Sequence, residues 1–149
     1  MVAGVWKVYD TTRKKLGDGT LDLATGVFYL TLHTPASNAA TITLSSKGSL
    51  DNEITSGNGY SNSAMTLSLT SWKSVAASTY RFDACDWFVS ANGGTIPPSG
   101  SDIQFGVIFQ SGGALVCYST LSTVAFNITS TNRLTVQLNA SGVFQLTGG

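Results

Sequence analysis

Along most of the chain, polar and apolar residues alternate with a period of two, the signature of half-buried β-strands. Residues 27–33, VFYLTLH, show it most clearly: Phe28, Leu30 and Leu32 fall on one face, Val27, Tyr29, Thr31 and His33 on the other. Residues 65–70 place Met65, Leu67 and Leu69 together, and 72–75 prolong the run. Residues 79–85, TYRFDAC, set Tyr80, Phe82 and Ala84 against Arg81 and Asp83. The two charges are spaced for a lateral ion pair, of little worth if exposed. Residues 86–89, DWFV, extend the same region. Val124, Phe126 and Ile128 align in 124–129, and Leu134, Val136 and Leu138 align in 133–139. After a turn at 140–142, the run 143–147 directs Phe144 and Leu146 inward, which predicts a C-terminal hairpin. GVWKVY at 4–9 also alternates and reads as a short strand or an extended arm.

Residues 103–118, IQFGVIFQSGGALVCY, break the alternation because they are apolar on both faces. Ile103, Phe105, Val107 and Phe109 share one face, Ile108 lies on the other, and Gly106 leaves room there for a neighbouring chain segment. A short glycine-containing loop between two such runs predicts a hairpin. One this apolar cannot sit at a sheet edge, so it is the expected centre of the fold. No ten-residue stretch has helical periodicity. Eight to ten strands at spacings near ten residues predict an all-β chain: a single-domain antiparallel β-sandwich or barrel, jelly-roll-like, over 17–149. Residues 1–16 precede it as an N-terminal arm or first strand.

The connections carry their own signals. DTTRKKL at 10–16 is the one basic cluster; it reads as a solvated turn or as a short helical turn capped by Asp10 or Thr11. Residues 40–44 fit a short strand or a turn. Residues 45–62 form a long polar stretch, which in a compact domain is expected to be functional or mobile, with Glu53 and Ile54 able to pair briefly. ANGGTIPPSGS at 91–101 is a loop. Composition narrows the class. Of 149 residues, 11% are charged, against about 25% in an average soluble domain. Ser, Thr, Asn and Gly supply the polar surface instead, as suits extracellular proteins and subunits of large assemblies. Eight basic and eight acidic residues cancel, which speaks against a nucleic-acid partner. No apolar run reaches the ~18 residues of a membrane helix. MVAGVWKVYD lacks the basic start and apolar block of a signal peptide, so folding in a cytoplasm is expected.

Candidate chemistry is sparse. His33 is the only histidine; a Ser-His-Asp arrangement would need it as base, but it reads as a partly exposed residue at a strand end. His33, Cys85 and Cys117 have no zinc-ligand spacing, and no metal or other cofactor is expected. Asp83 and Asp86 lie beside Trp87 like a glycosidase pair, but at that spacing they point to opposite faces of a strand. Asp18 and Asp22 lack the closing Glu of a calcium loop. Asn127-Ile128-Thr129 and Asn139-Ala140-Ser141 match the glycosylation acceptor pattern by chance. Cys85 and Cys117 sit in apolar strand runs and read as two buried, reduced thiols.

One resemblance spans nearly the whole chain, from about Gly17 to Thr147. GDGTLDLATGVFYLTLHT, the Gly-Tyr pair of GNGYSN, LTSWKSVAASTYRFDACDWFVS, FGVIFQSGGALVCYSTL and the closing RLTVQLNASGVFQLT follow one another in order. The arrangement resembles a group of small tailed-bacteriophage virion proteins. That resemblance implies a non-enzymatic structural protein of the virion, assembled in the host cytoplasm. A capsid decoration (cement) protein that binds across capsomers is the first expectation; a tail, neck or fibre component contacting the host surface is the alternative. A carbohydrate-binding β-sandwich that stacks sugars on Trp6, Trp72 or Trp87 is a third reading, from the residues alone. The expected partners are further copies of the chain, a trimer in the first instance, and the major capsid protein or other virion subunits, with neither nucleic acid nor membrane. The expected interface is the N-terminal segment, with Trp6, Tyr9, Arg13, Lys14 and Lys15, together with the loop at 45–62.

Overall fold

The apolar hairpin forms the middle of the largest sheet. A computed structural model describes residues 4–62, 65–138 and 141–147. In it, β6 (Phe105–Gln110) and β7 (Leu115–Thr120) pair antiparallel around a Ser111-Gly112-Gly113 turn. Positive φ at Gly112 and Gly113 makes glycine the fitting residue there. β2 (Phe28–His33) adds to β6 and β1 (Lys7–Val8) adds to β7, giving the order β1-β7-β6-β2. Within the N-terminal segment, Lys7 and Val8 thus form a short first strand. Ile103 lies outside β6, bridges Phe126 and joins the core shared by Ile108, so the predicted one-face set holds only from Phe105 onward.

Two smaller antiparallel sheets complete the fold. β3 (Ser71–Ala76), β4 (Thr79–Asp83) and β9 (Phe144–Thr147) pair in that order, and β5 (Trp87–Ser90) pairs with β8 (Arg133–Val136). The sheets are not closed into a barrel; the domain is an all-β, sandwich-like unit with nine strands among the described residues. The main core fills the space between the sheets with Phe28, Leu30 and Leu32 of β2, Phe82, Phe144, Trp87, Val89 and Val136.

The hairpin is apolar on both faces because both are covered. Its outer face, with Val107, Phe109, Leu115 and Tyr118, packs against Tyr9, Ala39, Leu44 and Leu50. The one α-helix among the described residues, α1 (Asp10–Gly17), supports this layer. Neither Asp10 nor Thr11 caps it: Tyr9 holds the cap position without a side-chain bond. Thr12, fully buried, instead donates its hydroxyl to the Val116 carbonyl at 2.9 Å. Val116 is the extra residue of a register shift in β7, and its carbonyl also accepts from the Tyr9 backbone N–H at 3.2 Å.

Several local expectations need correction. The C-terminal hairpin does not form: β8 is drawn to Trp87 and Val89, while β9 carries Phe144 onto Phe82 in a different sheet. Residues 124–129 make two isolated bridges and no strand. Leu69 is not on the face of Met65 and Leu67: a positive φ turns it outward and it is 79% exposed. Residues 40–44 form no strand; they follow a 3-10 turn, Asn38–Ala40, capped by the Ser37 hydroxyl. The stretch 45–62 is tied down at Ser46 by Ala114, at Glu53 by His33, and by the buried Ile54 and Tyr60. Cys85 is exposed where it leaves β4, whereas Cys117 is buried in β7; both are free thiols.

Candidate interaction surface

The residues expected to make contacts divide into two sets. Trp6 and Tyr9 belong to the interior. Trp6 is buried in the main core, next to the space that Gly106 leaves open. Tyr9 is 1% exposed, packs on Tyr118 at 5.3 Å and donates its hydroxyl to the Ala39 carbonyl at 2.7 Å. Burial, with Cys117 and Tyr118 nearby, pushes its phenol far above the ordinary range. The amphipathic pattern that suggested an exposed arm instead marks a strand laid on β7, and neither ring can present itself to a partner. Lys15 is half-committed too: its amine donates to the Ser45 carbonyl, and desolvation lowers its pKa. Val5, Lys7, Arg13 and Lys14 stay exposed.

Arg13 stands between two surface depressions. One, of about 270 Å³, is lined by Val8, Tyr9, Asp10, Arg13 and Ile42. The other, of about 540 Å³, is lined by Arg13, Trp72, Ser78, Tyr80 and the end of β9 from Gln145 to Thr147. The second has an aromatic wall. The β3–β4 register sets Trp72 opposite Phe82 and Ser74 opposite Tyr80, so Trp72 and Tyr80 are diagonal neighbours on one face. Their rings stack at 5.6 Å and 24°. Of the three tryptophans, Trp6 and Trp87 are buried and only Trp72 reaches this surface in part. Sequence reasoning named Trp72 but missed Tyr80 as its partner; the signal was Tyr80 at the strand's start, but the diagonal pairing needs the register. A second exposed ring, Phe88, carries the Arg133 guanidinium over its face at 3.7 Å.

The polar groups that suggested chemistry hold the framework together. His33 is fully buried rather than partly exposed, because the 34–53 segment folds over the end of β2. Its Nε2 lies 3.1 Å from the Thr31 hydroxyl and its Nδ1 3.0 Å from the Asp51 carbonyl. Burial holds its pKa below the ordinary histidine value. Beside it, Tyr60 donates to Glu53 at 2.9 Å, and Lys47 pairs with Glu53 at 2.6 Å. Burial and Glu53 drive the Tyr60 phenol upward. Hydroxyl hydrogen bonds from Thr20 to Asp18 and from Thr25 to Asp22, and then backbone N–H bonds from Thr20, Ala24 and Thr25, lower both pKa values and fix the two turns. Arg81 and Asp83 form the lateral ion pair at 3.4 Å. Among the described residues there is no cluster of three or more His, Cys, Asp or Glu able to hold a metal, and no helix long and apolar enough to cross a membrane. Asn127 is exposed; Asn139 and Ala140 of the second acceptor pattern lie outside the described residues.

No family model matches the chain, and neither does any curated protein or any solved structure.

Proposed function

We propose that the chain is a non-enzymatic structural subunit of a tailed-bacteriophage virion, a capsid decoration protein that binds across capsomers as a homotrimer. The observation that carries the reading is the ordered sequence resemblance from Gly17 to Thr147. The motifs that make it up fall on architectural positions. Leu21 and Leu23 of the first matched stretch, GDGTLDLATGVFYLTLHT, are buried around the Asp22 turn. Tyr60 of the Gly-Tyr pair is buried, and its hydroxyl accepts from the Leu32 N–H at 3.0 Å. Trp87 anchors β5 in the core. A likeness in such positions speaks for a common framework. The low charge and hydroxyl-rich surface suit a subunit whose working contacts are made with other proteins.

The docking face under this reading is the N-terminal side. Val5, Lys7 and Lys14 are exposed there, with the depression at Val8 and Ile42 beside them. A local basic excess on a neutral chain steers it to an acidic shell. Copies joined in a trimer would multiply weak contacts through their linked geometry. The test is co-sedimentation with capsids that lack the protein. Wild type is expected to pellet with the shell, and Lys7→Glu/Lys14→Glu to remain in solution while keeping its melting temperature. Failure of the wild-type chain to bind any capsid of the encoding phage overturns the reading. Deletion of residues 2–9 is no substitute, since it removes Trp6 and Tyr9 from the interior.

A further inference from the structure

Five aromatic rings form a continuous column from the centre of the molecule to its surface. Phe28 meets Phe82 edge-on at 4.9 Å, Phe82 meets Phe144 at 5.5 Å, Phe144 meets Trp72 at 6.3 Å, and Trp72 stacks on Tyr80 at 5.6 Å. The register of the β3-β4-β9 sheet builds it, with Phe82 opposite both Trp72 and Phe144. Exposure rises along the column from 0% at Phe28 to 48% at Tyr80. The last ring is therefore held by Trp72 on one side while about half of the residue stays open to solvent. Its motion is already restricted by packing, so a ligand stacking on it loses little further freedom; that is preorganisation.

The surroundings decide what could stack there. The groove holds an exposed guanidinium, Arg13, and the hydroxyl-bearing Ser78 and Thr147 beside the apolar Leu146. An apolar ligand would desolvate these groups without bonding them. A pyranose ring suits both halves. Its axial C–H face carries partial positive charge toward the negative face of an aromatic ring. Its equatorial hydroxyls can bond a guanidinium and threonine or serine hydroxyls at the rim. The groove's volume, about 540 Å³, lies within the ~300–1,000 Å³ of small-ligand sites.

We propose that the Trp72–Tyr80 groove is a saccharide-binding subsite, in which a sugar ring stacks on the open face of Tyr80 as the next member of the column and Arg13 donates to its oxygens. The proposal does not rest on the assembly role: Arg13 borders both depressions, but Lys7 and Lys14, which test the assembly role, do not line the groove.

The test uses the whole protein. It is applied to a printed glycan array and, isotope-labelled, titrated with chitohexaose, cellohexaose and tri-galacturonate while backbone amide shifts are followed. Wild type is expected to bind array glycans, with shifts confined to the groove residues Arg13, Trp72, 78–81 and 145–147. Tyr80→Ala is expected to abolish binding, with Tyr80→Phe retaining it. Arg13→Ala should weaken binding about tenfold, or 1.4 kcal/mol, most strongly for the uronate, whose carboxylate pairs best with a guanidinium. Should Tyr80→Ala lose its fold, Tyr80→Leu replaces it, and the wild-type shift map decides independently. A silent array together with no shifts in any titration overturns the proposal. So does binding that survives Tyr80→Ala or maps to another face.

Discussion

Replacing Phe82 by alanine removes the ring on which the smaller sheet is packed. Phe82 is fully buried, touches Phe28 at 4.9 Å and Phe144 at 5.5 Å, and lies opposite Trp72. A Phe→Ala change in a core costs about 3–5 kcal/mol, the transfer term plus the cavity left behind. Three features push Phe82→Ala toward the upper end. Its neighbours sit on two sheets held by separate ladders, so the site collapses poorly. Each aromatic contact contributes a further ~0.5–1.5 kcal/mol beyond its area. And the site is too apolar to recruit a bridging water. For a domain of this length, each kcal/mol lowers Tm by about 2–4 °C, so a fall of roughly 8–20 °C is expected. Urea unfolding followed by intrinsic tryptophan fluorescence measures the loss directly, with an unchanged m-value showing that the folded state is intact. Val124→Ala serves as control, because Val124 is 74% exposed and should change stability by less than about 0.5 kcal/mol. A loss below about 1 kcal/mol for Phe82→Ala would refute the packing of β4 against β2.

Tyr9→Phe leaves the Ala39 carbonyl, which accepts the buried hydroxyl at 2.7 Å, without its partner; about 1–3 kcal/mol should be lost in urea unfolding. Stability should decline as the pH falls below about 6.5, because His33 is buried with its pKa held down. The unfolded chain takes up its proton first, so the histidine's contribution is complete above about 6.5 and drains away toward the lower folded value. His33→Gln should flatten that slope below about pH 6.5, whereas an unchanged slope would assign it to other groups. Thiol labelling of native protein should modify the exposed Cys85 at once and Cys117 only on unfolding, since β7 buries it. Two fast-reacting thiols, or none, would contradict this placement.

Several strands were legible in the sequence because their runs either alternate against the core or are apolar on both faces. That is why Phe28, Leu30 and Leu32 read correctly, and why the double-sided hairpin at Phe105–Gln110 and Leu115–Thr120 announced the centre of the sheet. Pairing was not legible. Phe144–Thr147 follows Arg133–Val136 closely in the chain, but each takes a distant partner because burial of Phe144 and of Val136 is satisfied in different sheets. Trp6 and Tyr9 illustrate a second limit. Alternation shows that two faces differ, not whether the apolar one meets its own chain or a partner. His33 was misjudged because its burial depends on the Asp51 carbonyl and Glu53, eighteen and twenty residues further on. The aromatic groove needed the β3–β4 register before Trp72 and Tyr80 could be recognised as neighbours.

The proposed role would put the chain on the head of a tailed-phage particle, and a reconstruction of such a particle, purified from a phage carrying the chain's gene, is the direct test. Density for this β-sandwich is expected on the outside of the head, repeated as trimers at capsomer junctions, with the Lys7 and Lys14 side against the shell. Density found only at the neck or tail would contradict decoration of the head, and particles without the subunit would contradict the virion role itself.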